Sequence, residues 1–154
     1  MRGSRRLLPT VLVVVAVGGA AMVLAPVAGA KAKTPDPCSL ITDDTLSQIS
    51  GGWAVEKTDA LTPGKNCLVY LQSDGDSSTV NVFVDAASGY SSRKAGVKQV
   101  KSVPSIGSGG YSGDAFGDAQ VGFKTKTAAV ALVSTDLEAA DLVILAKAAN
   151  KLAK

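Results

Sequence analysis

Cys38 and Cys67 are the chain's two cysteines, and the chain has no histidine. The missing imidazole removes the commonest general base and the commonest metal ligand. Triads built on histidine and histidine zinc sites are therefore excluded. Two cysteines bonded to each other supply no thiolate nucleophile. What remains for catalysis is carboxylate chemistry. Thirteen acidic residues allow a pair of the kind used in glycoside hydrolysis, but two such groups must face each other across a cleft. Linear spacing does not show one.

Three short motifs come close to known chemistry and stop short of it. Ser91-Ser92-Arg93-Lys94 has the Ser-x-x-Lys spacing of penicillin-recognising enzymes. Those enzymes also need Ser-Asp-Asn and Lys-Thr-Gly elements, and Lys126-Thr127-Ala128 only approaches the second. The run Gly107-Ser108-Gly109-Gly110-Tyr111-Ser112-Gly113 is rich enough in glycine to cradle a phosphate. A dinucleotide loop, however, lies between a strand and a helix, and strands are expected after this run. Asp74-x-Asp76 resembles the start of a calcium loop without the later oxygen ligands or the closing bidentate glutamate. No cofactor and no metal is implied.

The aromatics are few: Trp53, Tyr70, Phe83, Tyr90, Tyr111, Phe116 and Phe123. Most aromatic side chains serve cores. Three are candidates for binding contacts. Tyr111 and Phe116 fall in the glycine-rich stretch 104–118, where a mobile loop could present them to a partner. Phe83 falls opposite Val80, Val82 and Val84 in an alternating run. It either packs under a second layer or lines an exposed groove.

These residues need elements to hold them. Thr42 is a suitable N-cap for a short helix, with Asp43 and Asp44 at its positive end, Ile41 stapled to Leu46, and Gly51-Gly52 as the stop. Leu46 and Ile49 would face inward. Strands are predicted over Trp53 to Thr58, Cys67 to Gln72 and Thr79 to Val84. Asp74-Gly75 makes the last two an antiparallel hairpin. Residues 86–102 read as a helix or an ordered loop. Residues 104–118 read as a wide turn, with Pro104 and five glycines. Ala119 to Thr125 and Ala128 to Ser134 are two further strands joined around Thr125-Lys126-Thr127. The second is apolar throughout, as a central strand would be.

A terminal helix closes the chain. Thr135-x-x-Glu138 has the form of a capping box. Leu142, Leu145, Ala149 and Leu152 share one face, and Lys147, Asn150, Lys151 and Lys154 share another. The expected fold is α+β: a small antiparallel sheet with a short N-terminal helix, a C-terminal helix packed on one face, and one disulfide.

The N-terminus reads as an export signal over residues 1–30. Arg2, Arg5 and Arg6 precede an apolar run from Leu7 to Leu24, and Ala28-Gly29-Ala30 offers a cleavage site. Cleavage is expected after Ala30, with Ala32 as the alternative. An uncleaved anchor is the competing reading, since about eighteen apolar residues can span a bilayer. Either route leaves the domain outside. Ser4-Arg5-Arg6 is also a partial twin-arginine signal. Residues 31–37 form a linker stiffened by Pro35 and Pro37, and residues 38–154 a single domain. Sixteen basic residues less those three arginines leave thirteen, against thirteen acidic. A nucleic-acid partner needs a basic surplus, and none is left. In an oxidising compartment a cysteine pair is most simply a disulfide; two free buried thiols are the alternative.

Pro37-Cys38-Ser39-Leu40-Ile41-Thr42 resembles the Pro-Cys-Ser-Leu-Leu-Thr opening of a family of exported actinobacterial proteins of unknown function. A second cysteine after a short helix, here Cys67, fits that pattern. So does a later stretch like Val103-Pro104-Ser105-Ile106-Gly107 with Tyr111. The resemblance covers most of residues 37–153. It implies a Cys38–Cys67 bridge and an envelope or extracellular address, and it brings no catalytic residues. The chain departs from the family by lacking a lipid-bearing cysteine and the more usual tryptophan near the second cysteine.

Together these readings predict an exported, non-catalytic binding domain whose partner is an envelope protein, a wall polymer or a small ligand. Contact with a membrane would be through the signal segment alone, if it is uncleaved. The alternatives are a small carboxylate-based enzyme and a secreted inhibitor or sensor acting through the loop 104–118.

Overall fold

The computed structural model describes residues 33–154. The export signal expected over residues 1–30, with its cleavage or anchoring, lies outside the described residues. Among the described residues no helix is long and apolar enough to cross a membrane.

Seven antiparallel strands form one sheet. They are β1 (Ala54–Thr62), β2 (Asn66–Gln72), β3 (Ser77–Ala86), β4 (Lys98–Ser102), β5 (Ser108–Ala115), β6 (Asp118–Lys124) and β7 (Ala128–Ser134), in the order β1-β2-β3-β7-β6-β5-β4. Two meanders, β1–β3 and β4–β7, thus meet where β3 pairs with β7. The first helix, α1 (Asp43–Leu46), follows a 3-10 turn over Pro37–Ser39. The second, α2 (Tyr90–Ala95), links the two meanders, and α3 (Ala139–Leu152) ends the chain. The α+β class, the two helices and the disulfide agree with the sequence.

Alternation sets which face of the sheet is buried. Val80, Val82 and Val84 of β3 pack with Val69 and Leu71 of β2 and with Val121, Phe123, Val130 and Leu132. The face they form is covered on one side by Leu40, Ile41, Leu46 and Ile49 around α1, and on the other by Leu142, Leu145, Ala146 and Ala149 of α3. The Cys38–Cys67 bond pins the chain before α1 onto β2, with Cα atoms 5.2 Å apart. Central β7 reads as continuous apolar sequence because both its faces are covered, one by α3 and the other beneath α2.

The opposite face is covered only in part. The register Tyr111–Gly122–Ala131–Phe83–Asn66 crosses five strands on that side. Small residues occupy its middle, and the Tyr111 ring lies over Gly122, where an added Cβ would fall 2.6 Å from the ring. Tyr90, Val97 and Ala115 complete this minor core. Over β2 and β3 two cations stand where a second layer of chain would be. Lys57 Nζ is 4.2 Å from the centre of the Tyr70 ring, and Arg93 is 4.3 Å from that of Phe83.

Several elements differ from their sequence expectation. The helix begun at Thr42 keeps its reciprocal cap, with Thr45 as partner, but it ends at Leu46. A turn then carries the chain to Gly51 and Gly52, both at positive φ. The first strand runs on to Thr62 because its backbone pairs with β2 past the Trp53–Thr58 pattern. The stretch 86–102 is neither one helix nor one loop: it holds α2 and the edge strand β4. The stretch 104–118 is not a wide turn either. After a 3-10 turn at Pro104–Ile106 its glycines form β5, where Gly110 and Gly113 let the neighbouring backbone approach too closely for any side chain. The expected capping box on the closing helix is absent. Glu138 is the N-cap and makes no side-chain bond, while Ser134 Oγ accepts the amides of Asp136 and Leu137. Leu152, assigned to the inner face, is 53% exposed in the last turn of α3.

Candidate functional site

Phe116 is the largest exposed apolar side chain of the described residues. The residue is 98% exposed. Strands β5 and β6 close at the pair Ala115–Asp118, so Phe116 and Gly117 alone form the turn. Their φ values are 60° and 98°, the left-handed pair that a two-residue type I′ hairpin demands. Asn-Gly or Asp-Gly is the usual solution, because a bulky side chain is disfavoured in that region. Here Gly117 holds the second position and its amide donates to Asp114 Oδ1 at 3.1 Å. Neither burial nor turn chemistry explains a phenylalanine at the first.

The turn borders a groove of about 340 Å³. It lies where the start of α3 faces the outer strands β4 and β5, beyond β6, the strand that α3 covers most fully. Lys101 and Ser112 are cross-strand partners on its floor, and Asp114 and Gly117 lead into the turn. Thr135, Leu137 and Glu138, between β7 and α3, form the other wall. Gln99 of β4 lines the groove as well, and its φ is 50°. Its conformation follows from a bulge: β4 places two residues, Gln99 and Val100, between Lys98 and Lys101 where β5 places one, Gly113. Gln99 and Phe116 are the two non-glycine residues at positive φ among the described residues. Gln99 lines this groove, and Phe116 adjoins Gly117, which also lines it. Backbone held in sparsely populated regions gathers where a structure needs a particular side-chain direction.

The other two candidate contacts fare differently. Tyr111 is not on a mobile loop. It lies in β5, 1% exposed, and Gln120 Nε2 donates to its hydroxyl at 2.7 Å. Burial pushes its pKa above the usual tyrosine value, and the Gln120 bond and Arg93 partly oppose the shift. Phe83 faces away from the three valines of β3, as its register requires. Its ring is half-buried under Arg93, which is held in turn by Asp85 through Nε at 2.6 Å and Nη2 at 2.5 Å. Of the three candidates, Phe116 is exposed, Phe83 half-buried and Tyr111 buried.

The remaining motifs have structural roles or none. Asp74-Gly75 is the turn between β2 and β3, with Gly75 at φ 89°. Ser91 and Lys94 sit on α2, where the Lys94 ammonium lies 5.9 Å from the Tyr90 ring and 5.7 Å from that of Tyr111. Among the described residues no three acidic, cysteine or histidine side chains gather at a position suited to a metal. A second cavity, of about 270 Å³, is lined by Glu56, Tyr70, Ser78, Thr79 and Asp136 among others. Asp136 there accepts a long hydrogen bond from Ser78 Oγ at 3.5 Å.

Gln99 was not legible as a site residue. Its strand is short and its signal is a backbone angle, which a single sequence does not display. No protein-family model matches the chain, and no curated protein and no solved structure matches it.

Proposed function

We propose that this chain works outside the cytoplasm as a non-catalytic binding module, and that it makes contact through Phe116 and the groove behind it. The exposed, left-handed Phe116 carries the reading: it costs backbone energy and contributes no packing. An oxidised Cys38–Cys67 pair supports the address, because such bonds persist mainly in oxidising compartments. The signal-like residues 1–30 and the family-like opening at Pro37-Cys38 support export. The lack of histidine supports binding over catalysis.

Thermal melting of the exported protein tests the reading. A wall extract from the producing cells raises the melting temperature of the wild type and leaves the Phe116→Ala protein unchanged. An equal shift in both proteins would remove Phe116 from the site. No shift in either would remove the binding function at the envelope.

One observation favours a second reading, a carboxylate-based enzyme: Glu56 and Asp136 line one cavity. Hydrolysis of a wall fragment that is lost in both Glu56→Gln and Asp136→Asn would establish it.

A further inference from the structure

The groove beside Phe116 has the chemistry of a site for a neutral oligosaccharide, and we infer that this is what it takes. The inference rests on the binding reading above and names its ligand class.

Charge excludes the first competitors. The groove carries Asp114 and Glu138 against Lys101. One cation beside two carboxylates does not select a phosphate, a nucleic acid or an anionic lipid surface, each of which calls for a cluster of basic groups. At about 340 Å³ the groove is at the small end of the ~300–1,000 Å³ range of ligand sites.

Peptide recognition is excluded on different grounds. Extended peptides bind by adding a strand to a free sheet edge, and helical ones by filling an apolar groove. The edge here is β4, five residues long, bulged at Gln99 and carrying Lys98 and Lys101. Short length, a bulge and lysines are the devices that stop strand addition. The groove itself is walled mainly by polar side chains, so it offers no row of apolar pockets.

What it does offer suits a sugar. Gln99, Ser112 and Thr135 can each donate and accept, Asp114 and Glu138 accept, and Lys101 donates. A ring bearing several hydroxyls needs both kinds of partner in a small space. The same ring has a face of C–H bonds, and that face needs a flat apolar surface. The exposed Phe116, next to the lining residue Gly117, would supply it, on a two-residue turn that fixes the backbone beneath it.

Amide chemical shifts of the exported, oxidised, isotope-labelled protein test this. The probes are chitotetraose, cellotetraose and maltotetraose at millimolar concentration, with tetra-alanine as the peptide and inorganic phosphate as the anion. At least one tetrasaccharide moves the amides of Gln99, Ser112, Asp114 and Gly117, and tetra-alanine and phosphate do not. Phe116→Ala weakens that saccharide about tenfold, the loss of one modest contact. Gln99→Gly weakens it too while relieving the backbone at φ 50°, so a lost signal there is not a lost fold. Shifts at these amides with the peptide or phosphate alone would overturn the saccharide and keep the groove as a binding site. Silence from all five probes, with wall extract stabilising wild type and Phe116→Ala alike, would overturn both.

Discussion

The Tyr111 ring occupies the space that a side chain on Gly122 would need. The two residues face each other across β5 and β6, and a Cβ on Gly122 would meet Cε1, Cζ and the hydroxyl of Tyr111 at 2.6 Å. The glycine is therefore chosen by the tyrosine. The ring is buried, its hydroxyl is bonded to Gln120, and it is closed in by Tyr90 edge-on at 5.8 Å between centroids. It has nowhere to retreat. Gly122→Ala should destabilise the protein by about 1–3 kcal/mol, the usual cost of overpacking a tight core. Chemical denaturation should show a lower midpoint with an unchanged slope.

The same tyrosine makes stability sensitive to alkali. Its folded-state pKa is raised, chiefly by burial, so the folded protein holds the phenolic proton more tightly than the unfolded chain does. Stability is full below the ordinary tyrosine pKa of about 10 and falls as pH rises past it toward the folded value. Tyr111→Phe has no such proton to lose. It should be less stable at neutral pH, because Gln120 Nε2 is left buried without its acceptor at a cost of about 1–3 kcal/mol. Its stability should also fall less between neutral pH and the alkaline limit than that of the wild type. Denaturation midpoints across that range check both statements, and a parallel fall in the two proteins would remove Tyr111 as the cause.

The disulfide closes a long loop from the 3-10 turn before α1 to β2. Cys38 and Cys67 are 29 residues apart, and the chain-entropy relation gives about 3–4 kcal/mol for a loop of that length. Paired Cys38→Ser and Cys67→Ser substitutions should lower stability by an amount of that order. The turn that carries Cys38 packs on β1, β2 and β3, so amide exchange should rise first in those strands and the α1 segment.

Phe116 is expected to be dispensable for folding. Its side chain buries nothing and its backbone is left-handed. Phe116→Asn places a residue that tolerates this conformation ahead of Gly117, and should raise stability by up to about 1 kcal/mol. Thermal melting checks it. A loss instead would mean that the ring packs against the groove in solution.

Where the chain crosses the membrane and is cut, the mature protein should begin at Lys31 or Lys33 with its sulfurs oxidised. Intact mass of protein recovered from the producing cells measures both at once. A full-length, reduced chain in the cytosol would overturn the exported address.

Much of this fold was legible one element at a time. The alternation of Val80, Val82 and Val84, the Asp74-Gly75 turn, the apolar run of β7 and the amphipathic α3 each carry a local signal set by side-chain period or backbone freedom. Thr42 was readable as a cap because its partners lie within one turn. The failures share a cause. The glycines at 107–113 suggest a loop to any local reading, yet Gly109, Gly110 and Gly113 lie in β5, where Val103 closes on Gly110, and Val97 and Lys98 on Gly113. Ser134 displaced Thr135 as the residue that satisfies the amides before α3, a choice made by the path of β7.

The sequence by itself determined the period of each strand, the polarity of α3, the cysteine pair and the absence of imidazole chemistry, since each is a property of residue types and near neighbours. Tertiary structure alone decided that Tyr111 is buried and Phe116 bare, though they lie five positions apart on one segment. Burial depends on what packs against a residue from distant parts of the chain. For Tyr111 that is Tyr90 and Gln120; for Phe116, at the tip of its hairpin, it is water.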